Sequence, residues 1–211
     1  MNDKSALEKI TGSVPVGIAA NALAVAGAAF TPWAAFAPFL VQTLASGRQS
    51  ARVESMLAQL VVEVSALKID LQDISDDQHK LVGECIVSTF STVDNLKLQY
   101  IRSAVLNALT NPTIPHGNAD ALGRLVRDIS AAEAAFVMTA FKFRGVVIAA
   151  GNVSTAERLF VTPDSPEELL IGGLIRLGLL YSRSSMMYEW SPLTAKFIAL
   201  IAPPNKQQTP V

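Results

Sequence analysis

The pattern of apolar and polar positions divides the chain into an uncharged N-terminal stretch and a series of amphipathic segments. Residues 10–47 contain no Asp, Glu, Lys or Arg and are rich in alanine. After position 47 charged residues return, and apolar residues recur at helical spacing. We therefore expect the N-terminal stretch to face lipid or the interior of a protein, and the remainder to form an ordinary helical fold.

Three prolines, Pro15, Pro32 and Pro38, divide the uncharged stretch. Proline is tolerated in the first turn of a helix but breaks its interior, so we predict one helix over residues 16–30 and a second over residues 33–45, kinked at Pro38. Each helix would be about 20–23 Å long, short of the ~30 Å hydrocarbon core of a bilayer. As one kinked helix the stretch could span a membrane; as a hairpin it would insert only partly.

A heptad pattern follows. Its apolar positions alternate in steps of four and three, at Val53, Leu57, Leu60, Val64, Leu67, Leu71 and Ile74. This spacing predicts a helix that ends at Ile74 and packs along one face. Its start has two readings, because residues 46–49 have the S-x-x-Q form of a capping box, yet the helix could also continue from the uncharged stretch across Gly47.

A second long helix is predicted from about Asp76 to Thr110. Residues 75–78 form another S-x-x-Q box at its start, and the Asn-Pro pair at 111–112 ends it. Because the break between the two helices is short, we expect an antiparallel hairpin with the seam buried inside the chain rather than by a dimer partner. The apolar face of this second helix consists of Val82, Ile86, Phe90, Val93, Leu96, Ile101, Val105 and Leu109.

Beyond the turn-rich residues 111–118, serine-initiated capping patterns mark further helix starts. They predict helices that begin near Ala131, Thr155, Pro166 and Pro192. The third of these ends before the C-cap glycine Gly178. Residues 179–190 then have the pattern of two short strands around a turn. Helices followed by a hairpin and a final helix are the order of a winged-helix-like domain.

These patterns predict a mainly α protein in four parts. Residues 1–47 form an apolar helical segment, and residues 48–111 form a long antiparallel helical hairpin with a heptad seam. Residues 119–202 form a C-terminal winged-helix-like α+β domain, and residues 203–211 form a disordered tail. The length of 211 residues is sufficient for one or two domains with hydrophobic cores.

Composition and charge narrow the classes of function. The net charge of −1 provides no global basic field for nucleic acid or anionic lipid. One cysteine, Cys85, excludes an internal disulfide framework and fits a reducing cytosol. The first 13 residues mix acidic and basic side chains, unlike the positive start of a secretory signal peptide, so we expect the uncharged stretch to be retained.

The sequence offers no motif for catalysis, a cofactor or a metal ion. Cys85, His79 and His116 lack zinc-site spacing, and Gly172-Gly173 is better explained by close helix packing than by a phosphate loop. The helix before the predicted hairpin has one arginine and two glutamates, which does not suit a DNA reader. We expect no enzyme, no cofactor, no metal, no nucleic-acid partner and no small-molecule substrate.

The uncharged stretch is the strongest candidate for a working part. Arg48 and Arg52 follow it directly and suit the anchoring of that end at a charged leaflet. The alternative is that its helices are buried in the core or in an interface with a protein partner or a second copy. In either case the contact residues are its large apolar side chains, Val16, Ile18, Leu23, Val25, Phe30, Trp33, Phe36, Phe39, Leu40 and Leu44.

Three further stretches carry a family resemblance: DNLKLQYIRSAVLNAL at 94–109, DISAAEAAFVMTAF at 128–141, and LIRLGLLYSR with YEWSPLTAKFIALI at 174–201. Through them, residues 48–201 resemble the Abi-alpha-like group of bacterial abortive-infection proteins. The resemblance implies a helical hairpin with a winged-helix-like domain in a bacterial protein linked to phage defence. It implies no catalytic residues, and it does not cover the uncharged stretch.

Our hypothesis is that the chain is a non-enzymatic bacterial protein at the cytoplasmic face of the cell membrane. It would be a phage-defence effector that acts on the membrane through its uncharged stretch. The alternative hypothesis is a soluble cytoplasmic adaptor or regulatory protein, whose apolar helices form a core or an oligomer interface.

Overall fold

A computed structural model describes residues 47–67, 73–151, 154–155 and 157–204. Seven helices lie within these residues: α1 (Gly47–Ala66), α2 (Asp76–Ser91), α3 (Asn95–Thr110), α4 (Ala119–Asp128), α5 (Ala131–Ala140), α6 (Pro166–Arg176) and α7 (Pro192–Ile201). Four short strands accompany them: β1 (Gly145–Ile148), β2 (Arg158–Val161), β3 (Leu180–Ser184) and β4 (Met187–Trp190). The predicted mainly α class is confirmed, with a small sheet near the C-terminus. Of the predicted tail, residues 203–204 are described, and residues 205–211 lie outside the described residues.

The second predicted helix is broken in two, so its continuity from Asp76 to Thr110 was wrong. Residues 92–94 separate α2 from α3. Asp94 caps α3: its Oδ1 accepts the backbone N–H of Leu96 at 2.7 Å and that of Lys97 at 3.2 Å. This local side-chain bond competes with continuation of the helix. As a result Val93 and Leu96, both assigned to the buried face, are 69% and 42% exposed.

The break lets α2 and α3 fold against each other as an antiparallel pair. Gln78, near the start of α2, is buried, and its Nε2 donates to the carbonyl oxygens of Ala108 and Leu109 near the end of α3. The same side chain completes the predicted capping box, because its Oε1 accepts the backbone N–H of Ser75 at 3.0 Å. One glutamine thus starts α2 and satisfies the last turn of α3.

Helix α1 runs in the same direction as α3. Arg52, near the start of α1, contacts Val93 just before α3, and Glu63, near the end of α1, pairs with Arg102 within α3. The predicted two-helix hairpin is therefore a three-helix arrangement in which α2 runs opposite to both neighbours.

The heptad helix is shorter than predicted, because α1 ends at Ala66 and not at Ile74. Helix α2 runs opposite to α1, so a single helix cannot extend from α1 into α2. Leu71 lies outside the described residues, and Ile74 packs against the core from a bend. The start of the helix stays open, because Gly47 is also the first residue that the structure describes.

The seam of α1 is buried within the chain, as expected. Val53, Leu60 and Val64 are 2%, 0% and 3% exposed, and Leu57 is half-buried. Leu60 and Val64 belong to a hydrophobic cluster that also includes residues from each of the helices α2 to α7. The cluster includes residues on both sides of the loop at 111–118, where the predicted boundary between domains remains a prediction.

The sheet has the strand order β2-β1-β4-β3. The predicted hairpin over residues 179–190 is confirmed as β3 and β4, with Tyr181 opposite Glu189. β1 lies between β4, with which it pairs antiparallel, and β2, with which it pairs parallel. Neither β1 nor β2 was predicted. Val146 and Ile148 of β1 are buried and connect the sheet to the helical core.

The helix predicted near Thr155 is wrong, because residues 158–161 form the edge strand β2. Arg158 and Phe160 direct their backbone N–H groups away from β1, and these donate to the hydroxyl oxygens of Thr155 and Ser154 at 3.2 and 3.0 Å. The hydroxyl of Ser154, which suggested a helix cap, and that of Thr155 therefore satisfy a strand edge that would otherwise be unpaired.

The other three predicted starts, near Ala131, Pro166 and Pro192, are confirmed. The predicted glycine at the end of α6 is also confirmed: Gly178 follows the C-cap residue Leu177 with a φ of 72°, the left-handed conformation that favours glycine. Its turn lets the N–H of Leu179 donate to the carbonyl oxygen of Leu174 at 2.9 Å, and β3 begins immediately afterwards.

Close helix packing at the glycine pair of α6 is confirmed for Gly173 alone. A Cβ at Gly173 would overlap the carboxylate of Glu133 on α5, whereas a Cβ at Gly172 would meet no atom within 4 Å. Glu133 needs its position because its Oε2 accepts the backbone N–H of Ser130 at 2.8 Å, which completes the capping box of α5. Gly173 therefore leaves room for the side chain that starts the neighbouring helix.

This difference predicts opposite effects for two neighbouring substitutions. Gly172→Ala should stabilise the protein by up to about 1 kcal/mol, because alanine is preferred to glycine at an open helical position. Gly173→Ala should be about 1–2 kcal/mol less stable than Gly172→Ala, because Glu133 must leave the cap of α5. Urea unfolding of the two variants measures the difference, and equal stabilities would contradict this role of Glu133.

Candidate functional site

The ten apolar residues predicted to contact a membrane or an interface all lie outside the described residues. The chain enters the described region at Gly47, the first residue of α1. Within that region, the helices lack the combination of length and apolar character needed to cross a bilayer. The part of the folded body nearest in sequence to the uncharged stretch is therefore the N-terminal half of α1.

A groove of about 370 Å³ lies between this part of α1 and α3, open to solvent. Helix α1 lines it with Arg52, Ser55, Met56 and Gln59. Helix α3 lines it with Asn95, Leu98, Gln99 and Arg102. Met56 and Leu98 are each 6% exposed and belong to the hydrophobic core, whereas the other six side chains are polar. The groove is thus a polar surface above an apolar base.

The spacing of these residues explains why they meet. On each helix the lining positions fall at i, i+3, i+4 and i+7, which places them on one face over two turns. Because α1 and α3 run in the same direction, the two faces lie side by side for about 10 Å.

Arg52 stands at the end of the groove nearest to the uncharged stretch. Its Nη1 donates to the carbonyl oxygen of Val93 at 2.9 Å, which fixes the guanidinium beside the break between α2 and α3. Arginine carries five N–H donors, so this bond leaves others available. Among the described side chains, no carboxylate pairs with Arg52.

Arg102 stands at the other end and is paired. Its Nε donates to Oε2 of Glu63 at 2.7 Å, and its Nη2 donates to Oε1 of the same carboxylate. Hydrogen bonding to Glu63 raises the pKa of Arg102, and both side chains are about one-third exposed. This bidentate pair fastens the end of α1 to α3, and it balances the charge of Arg102 within the protein.

A second cluster of charged residues lies on the sheet. Glu189 of β4 accepts from Nε of Arg183 at 2.8 Å and from the hydroxyl of Tyr181 at 3.0 Å, and Nη2 of Arg158 lies 3.6 Å from its other oxygen. The bond from Arg183 and then that from Tyr181 hold the pKa of Glu189 below its usual range. The carboxylate joins β2, β3 and β4, so this cluster is explained by the stability of the sheet.

The soft ligands noted in the sequence lie apart. Cys85 is fully buried in α2, and burial raises the pKa of its thiol, which keeps it protonated and unreactive. His116 is exposed on the loop before α4, with Nδ1 3.9 Å from Oδ2 of Asp77. In the part of the chain that the structure describes, no three His, Cys, Asp or Glu side chains converge as metal ligands would.

Sequence reasoning did not find the groove, although part of its signal is visible. Arg52, Ser55 and Gln59 form a polar stripe beside the apolar seam of α1, and residues 95–102 contain a matching stripe. Placing the two stripes together requires that α1 and α3 run in the same direction. That direction follows from the break at residues 92–94, which was not predicted.

Comparisons with known proteins identify no relative, since no family model, curated protein or solved structure matches the chain. The class that the geometry defines is a mainly helical body with a small mixed sheet, in which a polar groove adjoins the attachment point of an uncharged N-terminal stretch.

Proposed function

We propose that the protein is a non-enzymatic, membrane-associated bacterial protein in which residues 14–45, within the uncharged stretch, contact the membrane. The observation that supports this most directly is the surface of the described body. Its large exposed apolar side chains are few and are distributed over several elements, namely Val62, Val93, Leu96, Leu169, Ile175, Tyr181 and Met186. Such scattered residues offer no continuous apolar face to cover a stretch of this length, whereas a bilayer does.

The attachment of α1 supports a regulatory role for the folded body. Helix α1 follows the uncharged stretch directly and is fixed to the body by its buried seam, by the Arg102–Glu63 pair and by the bond from Arg52. A change of state in either part would therefore reach the other through a rigid element. We assign sensing to the body and membrane contact to the stretch.

A winged-helix-like arrangement of residues 119–202 is part of this proposal. Helix α6 leads through Gly178 into the β3–β4 hairpin, and β1 pairs with β4. The basic residue of the hairpin, Arg183, is paired with Glu189, and the outward residue Leu169 of α6 is 79% exposed. A neutralised hairpin and an apolar position on the preceding helix favour contact with a protein over contact with DNA.

Phage defence is the biological role that we propose, on the basis of the resemblance to the Abi-alpha-like group. In this role activation of the body releases or assembles the uncharged stretch, which then perturbs the membrane. Loss of protection against infection in a variant with charged residues in the stretch would support the role. If that variant still protected cells, the uncharged stretch would not be the part of the protein that acts in defence.

Fractionation of cells that express the full chain tests membrane contact. We expect the wild-type protein in the membrane fraction and a Leu23→Asp, Phe36→Asp variant in the soluble fraction, because each aspartate at the centre of an inserted helix costs about 2.5–3.5 kcal/mol. Val62→Asp is the matched control, since Val62 is 69% exposed and should tolerate the same change without leaving the membrane.

The soluble adaptor gives a different result in the same experiment. The wild-type protein would then remain soluble without detergent as a defined oligomer, and residues 14–45 would resist proteolysis. That outcome would overturn the membrane proposal.

A further inference from the structure

We propose that the groove between α1 and α3 binds the monoanion of a phosphate ester. The inference adds a ligand site to the proposed membrane contact and depends on that contact only for the source of the ligand, which is a phospholipid headgroup in one case and a soluble phosphate ester in the other.

The charge of the groove indicates an anion with a single charge. Two of its lining residues, Arg52 and Arg102, are cationic, and none of its described lining residues is acidic. Glu63 balances Arg102 from the end of the groove, so Arg52 contributes the remaining positive charge. A monoanion would neutralise it, whereas a dianion would bring excess negative charge close to Glu63.

The neutral lining residues match the acceptors of a phosphate ester. Gln59, Gln99 and Asn95 carry carboxamide N–H₂ groups, and Ser55 carries a hydroxyl, so all four can donate to ester and phosphoryl oxygens. The volume of about 370 Å³ is in the range of small-molecule sites, about 300–1,000 Å³. It exceeds what a bare phosphate needs and leaves room for an esterified glycerol or sugar.

Both arginines are held in place before any ligand arrives. Val93 accepts one bond from Arg52, and Glu63 holds Arg102 in a two-point pair. Binding therefore requires little ordering of these long side chains, which otherwise opposes association. Met56 and Leu98 close the base of the groove and keep it dry on one side.

The location of the groove favours a lipid as the source. Arg52 follows Gly47 by five residues, about 8 Å along a helix. If residues 14–45 lie in the bilayer, this end of the groove lies at the level of the headgroups, where phosphodiester monoanions are concentrated and attract basic residues.

Calorimetry on the full chain in neutral detergent micelles tests the site with sn-glycero-3-phosphoglycerol, the soluble headgroup of an anionic phospholipid. We expect wild-type protein to bind it and Arg52→Gln to bind about tenfold more weakly, the usual loss for one charge-assisted hydrogen bond. Arg52→Lys should recover part of the affinity because it restores the charge without the planar donor set. Arg124→Gln, an exposed arginine of α4, is the matched control and should bind like wild type.

Equal binding by wild type and Arg52→Gln, with both variants folded by circular dichroism, overturns the proposal, as does the absence of binding by wild type. Competition with inorganic phosphate identifies what is recognised: an ester that binds more tightly supports the proposal, and equal binding of both overturns the preference for an ester.

Flotation with vesicles separates this proposal from the membrane proposal. Vesicles of phosphatidylcholine, with or without phosphatidylglycerol, should both carry the wild-type protein, and Arg52→Gln should lose only the preference for phosphatidylglycerol. Headgroup binding without flotation would overturn the membrane proposal and assign the site to a soluble ester. Flotation without any effect of Arg52→Gln would overturn the groove and leave the membrane proposal standing.

Discussion

Replacement of Phe197 by alanine is expected to lower the free energy of unfolding by about 3–5 kcal/mol, the usual cost of removing a buried aromatic ring. Phe197 is fully buried on α7. It lines a small cavity of about 10 Å³ together with residues of α3, α4 and α5, among them Ile101, Val126 and Ala134. In a chain of this size the loss corresponds to a fall in melting temperature of about 6–20 °C.

The Phe197→Ala variant also tests how the chain is divided. Phe197 connects α3, in the predicted hairpin, with the predicted C-terminal domain, and Asn107 of α3 reinforces this by donating to the carbonyl oxygens of Leu200 and Ala202 at 2.8 Å. We therefore expect one cooperative transition that moves as a whole in thermal unfolding. Leu169→Ala, at a position 79% exposed, should change stability by less than about 0.5 kcal/mol. Two transitions of which only one moved would instead establish two independent domains.

The elements that could be read from the sequence are those stabilised by contacts within a few residues. The capping boxes at Ser75 and Ser130 close over three residues, and the turn at Gly178 requires a backbone conformation that glycine supplies. The hairpin formed by β3 and β4 is equally local. For such elements the neighbouring residues in the chain are also the partners in space, so pattern and structure agree.

The two failures among the capping patterns have a common cause. A serine or threonine hydroxyl that accepts a backbone N–H stabilises a helix start at Ser130 but a strand edge at Ser154. Conversely, Asp94 starts a helix within a run of apolar residues that otherwise continues at helical spacing. In each case a side-chain oxygen accepts a backbone N–H group. Packing with distant elements determines whether that hydrogen bond stabilises a helix start or a strand edge.

Distant pairing also explains why β1, β2 and the groove were missed. Each of the two strands has four residues, and β1 pairs with β4 about 40 residues further along the chain. The groove likewise combines Arg52 with Gln99 and Arg102, which are separated from it by the whole of α2. Short elements contain too few positions to establish a period, and the alignment of separate helices has no local signal.

The second large effect is expected at Leu60, whose replacement by alanine should lower the free energy of unfolding by about 2–5 kcal/mol. Leu60 is fully buried at the centre of the α1 seam, between Met56 and Val64. Val62→Ala is the matched control two residues away, because Val62 is 69% exposed and its truncation should cost less than about 0.5 kcal/mol.

The part of the structure that Leu60→Ala destabilises shows whether α1 is an internal connection or an interface between two copies. We expect hydrogen exchange in Leu60→Ala to accelerate first along α1, because this seam supplies the apolar packing of α1 on the rest of the body, whereas α2 retains its contacts with α3 and α4. Loosening of α1 should also weaken binding in the groove, which has one wall on α1, while membrane fractionation remains unchanged.

If the seam were instead an interface between two copies, the stability of the wild-type protein would rise with its concentration, and Leu60→Ala would remove that dependence. Stability that does not depend on concentration, with faster exchange confined to α1, would identify the helix as an internal connection between the uncharged stretch and the folded body.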